Sequence, residues 1–390
     1  MYYVAGAESY HTGKLKDFAK VGVKAINDDT LQVTLKGKYA YFPTLLAEPE
    51  YYPVSQEAKE AASISNGPFQ LQARSNMEIK LIKNPHYYDA ASIRLSEVDL
   101  LSPLGLNSEN ATAAFVNGQV DWAGGGNTMM DYKYKDTVAE NYYLQAPYAS
   151  TYYYQFNLGQ KPFSNINIRK ALSLAVDRKA LLMAIPAYGF VPSPIFGSRA
   201  QYRTEVSDAA YYRENLSKAK ELLAKGLGQE GLSKMPPFTV LVNEGDDHAA
   251  LVKRLVKQWN DKLGVTTTIK VQSWQAVLAS RQSGSFQVAR AGWSADYNDP
   301  AAFLNYFRTD SADNDSGWSN KRYDEFIKQA EQTLDSAKRV QLYAKAEKLL
   351  MSEAVMLSHN YVADILRNPL IAGVYIDYDG SIAFSRGYWK

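Results

Sequence analysis

The spacing of apolar residues along the chain changes period partway through. Over KVGVKAINDDTLQVTLKG, apolar and polar residues alternate on both sides of Asn27-Asp28-Asp29, which predicts a hairpin turning there. The same alternation around Ser75-Asn76 predicts strands at Phe69–Ala73 and Met77–Lys83, and Glu97–Leu101 predicts another. A helix is expected around Asn110–Asn117, stopped by Gly118, because a left-handed C-cap suits glycine. A short strand at VDW and a flexible crossing at Gly124–Gly126 follow.

From NIRKALSLAVDRKALLMA onward the apolar spacing is helical. YRENLSKAKELLAKGLG reads as an amphipathic helix closed by Gly226 or Gly228. Then strand Thr239–Val242, helix His248–Leu263, strand Val265–Val271, helix Gln275–Arg281 and strand Phe286–Trp293 succeed one another. Such alternation implies right-handed βαβ crossovers and a largely parallel sheet. Tyr323–Leu334 and Ala337–Met351 form a helical pair, after which strands return. A chain of 390 residues exceeds one ordinary core. The expectation is an α/β lobe over residues 150–362 inserted into a β-rich lobe formed by 1–149 and 363–390.

Composition narrows the function classes. Both charge signs are mixed along the chain and the net charge is only +2, against the concentrated basic face of a nucleic-acid binder. No apolar run approaches the roughly 18 residues that span a bilayer. The opening MYYVAGAESYHTGK lacks the charged and apolar regions of a signal peptide. With no cysteine, disulfides, thiolate catalysis and iron–sulfur clusters are excluded. The 29 tyrosines cluster in EYYPV, HYYDA, NYYLQ, STYYYQF and AAYYREN. Most of them suit strand edges and lobe seams, and the rest suit a recognition surface.

Catalytic and cofactor motifs fail one by one. His11, His86, His248 and His359 form no close pair with ligand spacing, so no metal is expected. GAESYHTGK has the wrong glycine spacing for a phosphate loop, and Leu15 stands where Ser or Thr belongs. No nucleophile elbow or dinucleotide fingerprint occurs, and no cofactor is expected.

VARAGWSADYNDP is the informative stretch. It places Asp296 just past the carboxyl end of a βαβαβ strand, where ligands of open α/β sheets gather. Asp299, before Pro300, suits helix capping and leaves Asp296 as the recognition candidate. A carboxylate between Trp293 and Tyr297 needs a cationic partner. Arg290, on the strand face of Gly292, is either that partner or a receiver for a ligand anion. One acid, one base and many aromatics suggest a zwitterionic ligand.

At these residues the chain resembles the solute-binding proteins of peptide ABC importers, family 5, in its oligopeptide-binding branch. FQVARAGWSADYNDPAAFLNYF carries the likeness, with VGVKAINDDTLQVTL, SNGPFQL, KNPHYYD, FVNGQVDW, STYYYQFN, KPFSNINIRKALSLAVDR, PAYGFVP and KRYDEFIKQAEQTLD in the same order. The resemblance implies an α/β, two-lobed, periplasmic-binding-protein-like fold (class II, cluster C) closing on a ligand by a hinge. It implies that Asp296 binds a peptide's α-ammonium group and that Arg290, Arg281 and His248 face ligand carboxylates. Trp274, Trp293, Tyr148, Tyr153 and Tyr361 would line the cleft, with Gln155 and Asn314 among the ligand contacts. Backbone at Gly292 and Ser294 would pair with the ligand as an added strand.

The implied function is capture of oligopeptides with little sequence specificity for a membrane permease, by a monomer outside the cytoplasmic membrane and without catalysis. Relatives carry a long segment ahead of the point matching Met1, and the connections at Ser55–Ser65 and Met183–Pro186 are short by comparison. A cysteine pair of some relatives matches Ser150 and Ser294, expected here to be unbonded neighbours. Alternative ligands on the same fold are a dipeptide, murein peptide, nickel chelate or haem. A carboxylate-dependent hydrolase is a different reading, and a piece with a purely structural or partner-binding role is another.

Overall fold

The computed structural model describes residues 2–55, 64–101, 108–125, 134, 137–181, 186–207, 211 and 213–390. Most of the connections at Ser55–Ser65 and Met183–Pro186, and Gly126, lie outside the described residues.

The first hairpin pairs β1 (Val23–Asn27) with β2 (Thr30–Val33), and the Asn27 side chain accepts a hydrogen bond from Asp29 N at 3.0 Å to set the turn. β3 (Phe69–Arg74), β4 (Glu78–Lys83) and β5 (Glu97–Leu101) form an antiparallel sheet. Ser75 Oγ accepts from Met77 N and Glu78 N in the β3–β4 turn. Helix α1 (Ser108–Val116) is followed by Gly118 at φ 70°, as its sequence predicts.

The main sheet has six strands: β6 (Trp122–Gly124), β7 (Tyr143–Phe156), β8 (Phe238–Asn243), β9 (Thr267–Gln272), β10 (Val288–Ser294) and β11 (Met356–Arg367). They lie in the order β6-β11-β7-β10-β8-β9. The expectation of a largely parallel sheet needs correcting. β9, β8 and β10 are mutually parallel, whereas β10–β7, β7–β11 and β11–β6 are antiparallel. The crossovers run only from β8 to β10, through α4 (Asp246–Leu263) and α5 (Trp274–Gln282). β7 and β11 pair across residues 150 and 362, so a division of the chain at those two points passes through paired strands.

β7 shows how the period of two builds two cores. Tyr152, Tyr154 and Phe156 point to one face and pack with α2 (Ile166–Leu174), α3 (Leu216–Gln229) and α4 through Leu172, Leu223, Val252 and Trp259. Tyr153 points to the other face, among Phe190, Phe303 and Phe307 and the α6 (Lys321–Glu331) and α7 (Ser336–Ser352) pair. Val4, Val21, Tyr41, Phe42 and Leu45 from the start of the chain join that second core. Each large apolar side chain buried this way contributes roughly 1.5–3 kcal/mol.

Gly226 and Gly228 do not close α3, which continues to Gln229 before Gly231 takes φ 69°. Gly226 instead lets α3 approach α2, since a Cβ there would sit 2.6 Å from Ile168 Cγ1.

Candidate functional site

Three strand-to-helix junctions meet at the carboxyl ends of the parallel strands. β8 leads into α4, whose first turn carries His248; β9 leads into α5, whose N-cap Ser273 accepts from Ala276 N, and Trp274 next to it is 43% exposed. β10 ends at Ser294, and Asp296 stands exposed two residues on. Positions 248, 274 and 290, far apart in sequence, converge because parallel strands put all their outgoing turns at one end of the sheet.

Register sorts the side chains of β10. Arg290 lies opposite Tyr154 and Gly292 opposite Tyr152, on one face. The Arg290 guanidinium carbon is 4.8 Å from the Tyr152 ring centroid and 5.5 Å from that of Trp274, a cation between two π faces. The His248 ring lies 5.7 Å from Tyr152, and the Tyr152 and Tyr154 hydroxyls share a hydrogen bond at 3.3 Å. Burial, and then the charge of Arg290, push the His248 imidazole down to about 4. At neutral pH, therefore, His248 offers hydrogen bonds and Arg290 supplies the positive charge.

The backbone of β10 is open on one side. It pairs with β7 from Val288 to Ser294, but with β8 only at Val288 and Ala289. Among the described residues, no strand pairs with Gly292–Ser294 on the β8 side. Ser294 Oγ and Ser150 Oγ are 3.1 Å apart and occupy directly opposite positions, so the two serines are unbonded neighbours as expected.

Other residues singled out from the sequence have partners within the protein. Trp293 faces away from Arg290, stacks edge-on to Tyr306 at 4.8 Å and donates from Nε1 to Ala302 O at 2.6 Å. Asp299 caps as expected: its carboxylate accepts from Ala301 N at 2.9 Å and also pairs with the Arg339 guanidinium. Arg281, expected to face a ligand, is buried; its Nε lies 2.7 Å from Asp315 Oδ2 and its Nη2 donates to the Tyr306 hydroxyl at 2.7 Å. Gln155, fully buried, donates to the same Asp315. Tyr153 is wholly enclosed by Phe190, Tyr306 and Phe307, and Tyr148 packs with Ile365. The Asn314 amide donates to the carbonyls of Phe307, Arg308 and Trp318 and braces its own loop. Arg281 and Gln155 are tied to internal partners because the loop carrying Asn314 and Asp315 folds over this part of β7. The Tyr361 side chain lies outside the described residues.

Sequence reasoning missed Tyr152 and Tyr154, although counting twos along STYYYQF from Tyr154 would have placed both on one face. Asp315, the partner of Arg281, carried no local signal. Among the described residues, no group of three or more His, Asp or Glu side chains is placed to hold a metal ion. No helix there is long and apolar enough to cross a membrane.

Comparison with known proteins bears on this geometry. Residues 3–315 match the family pattern of bacterial extracellular solute-binding proteins, family 5. The chain is 31% identical over 414 residues to the oligopeptide-binding protein OppA of Bacillus subtilis, covering 100% of this chain and 74% of that protein. Among solved structures, the unliganded open form of the periplasmic murein tripeptide binding protein MppA aligns with a TM-score of 0.80 at 26% identity, over 100% of this chain and 77% of that one. Haemophilus influenzae OppA in complex with the peptide RPPGFSPFR aligns with a TM-score of 0.74 at 26% identity, over 99% of this chain and 78% of that one. The chain belongs to the bacterial extracellular solute-binding proteins of family 5.

Proposed function

We propose that this protein captures oligopeptides outside the cytoplasmic membrane and hands them to an ABC permease, as a monomeric receptor and not an enzyme. The observation that carries this reading is the open side of β10 beyond Ala289, with a cation at one end and a carboxylate past the other. An extended ligand main chain adds there as a strand, gaining affinity from backbone groups that every peptide has. At about 3.3 Å per residue, Arg290 to Ser294 spans roughly 13 Å, the reach of an extended peptide of about four residues. Its ammonium group meets Asp296, and its carboxylate meets Arg290 beside neutral His248. Only the ends and the main chain are read closely, so side-chain selectivity is broad.

Calorimetry with a mixed-sequence tetrapeptide and its N-acetylated twin tests the reading. Tight binding of the free-amine peptide with loss of affinity on acetylation is the expected result. Equal binding of the two removes Asp296 from the site, and binding of neither removes the peptide reading.

A further inference from the structure

The segment that follows residue 186 is unusually well braced and is tied to the turn after β10 at Asn298. Phe190 O accepts from Thr151 Oγ1 at 2.8 Å, and the fully buried Glu347 accepts from Phe190 N and Val191 N at 2.8 and 2.9 Å. Beyond the buried Ile195, the chain turns outward and leaves Phe196 47% exposed. Phe196 N donates to Asn298 Oδ1 at 2.7 Å. Asn298 is two residues, about 7 Å of backbone reach, from Asp296, so the tether holds Phe196 at the turn that carries both.

The tip of the segment is locked as well. The Glu205 carboxylate accepts from Ser198 N, Arg199 N and Ala200 N at 2.7, 2.8 and 2.9 Å, and from Ser198 Oγ at 2.6 Å. Gly197 makes room for it, since a Cβ there would stand 2.7 Å from Glu205 Oε1. Single exposed apolar residues are ordinary on protein surfaces. This one differs in standing on a pre-ordered loop hydrogen-bonded to the turn that presents Asp296. Pre-ordering lowers the entropy cost of using it as a contact.

We propose that Phe196 forms the wall against which the first side chain of the bound peptide packs, so that the receptor favours an apolar residue next to the ligand's amine. The inference rests on the peptide reading above and adds a selectivity to it. Packing half of a leucine side chain on an aromatic ring, compared with alanine, corresponds to about a fivefold gain in affinity.

The test is calorimetry of the unaltered protein and Phe196→Ser with Leu-Ala-Ala-Ala, Ala-Ala-Leu-Ala and Ala-Ala-Ala-Ala. Thermal melting of both proteins confirms that the variant is folded, as expected for an exposed position. The unaltered protein should prefer leucine at the first position over the all-alanine peptide by about fivefold. Phe196→Ser should abolish that preference and leave the affinity for Ala-Ala-Leu-Ala within twofold, about the margin of the measurement. A preference that survives the substitution, its absence from the unaltered protein, or an equal loss with leucine at the third position overturns the wall alone. Failure of the unaltered protein to bind any of the three overturns the peptide reading and the wall with it.

Discussion

Acidification should weaken the folded protein through His248 in a way that can be isolated. Its imidazole is half-buried against Tyr152 in the first turn of α4, and burial followed by the charge of Arg290 lowers it to about 4 from the ordinary 6.5. Below pH 6.5 the unfolded chain takes up a proton that the folded state refuses until about pH 4. Stability at this site is therefore complete above pH 6.5 and declines as pH falls through that window. Proton linkage between those two values gives about 1.8 kcal/mol between pH 7 and pH 5. Solvent around a half-buried ring screens part of this, leaving about 1 kcal/mol. Urea denaturation of the unaltered protein and His248→Gln at both pH values measures it, because other titrating groups cancel in the difference. The unaltered protein should lose about 1 kcal/mol more than the variant. Histidine proton NMR supplies the second readout: Arg290→Met should raise the His248 midpoint. Equal losses in the two proteins, or a His248 midpoint near 6.5 in the folded state, would refute the reasoning.

Three further outcomes follow from the same structure. Asp296→Asn, at an exposed position, should leave stability within about 0.5 kcal/mol but weaken free-amine peptides by about 2 kcal/mol, or thirtyfold by calorimetry; an unchanged Kd excludes Asp296 as the anchor. Asp315→Ala strands the buried Arg281 and should cost about 3–5 kcal/mol in urea denaturation, whereas a loss under 1 kcal/mol would return Arg281 to the ligand side. Gly226→Ala should destabilise by about 1–3 kcal/mol through its clash with Ile168, against the usual gain of about 0.5–1 kcal/mol for this change within a helix; a more stable variant would show that α2 and α3 can part without cost.

The elements themselves were legible because each depends on near neighbours in sequence. Alternation over Val23–Val33 and helical spacing over Leu216–Gln229 are local facts, and so are the caps that Asn165, Asn215, Asn320 and Asp335 provide. The position of Asp296 past β10 followed from element order, and the capping role of Asp299 from its place before Pro300. What belonged to the tertiary structure was every partnership across long separations. The antiparallel return of β7 beside β10 and β11, the loop that carries Asp315 to Arg281, and the approach of α2 to Gly226 arise from packing whole segments together. That is why Arg281 and Arg290, two arginines nine positions apart and equally plausible from sequence, part company. One pairs with the part-buried Asp315 carboxylate, while the other lies between two aromatic rings at the mouth of the site. Residue type determined that each arginine would seek an anion or a π face; only burial and register decided which of them met Asp315 and which met two rings.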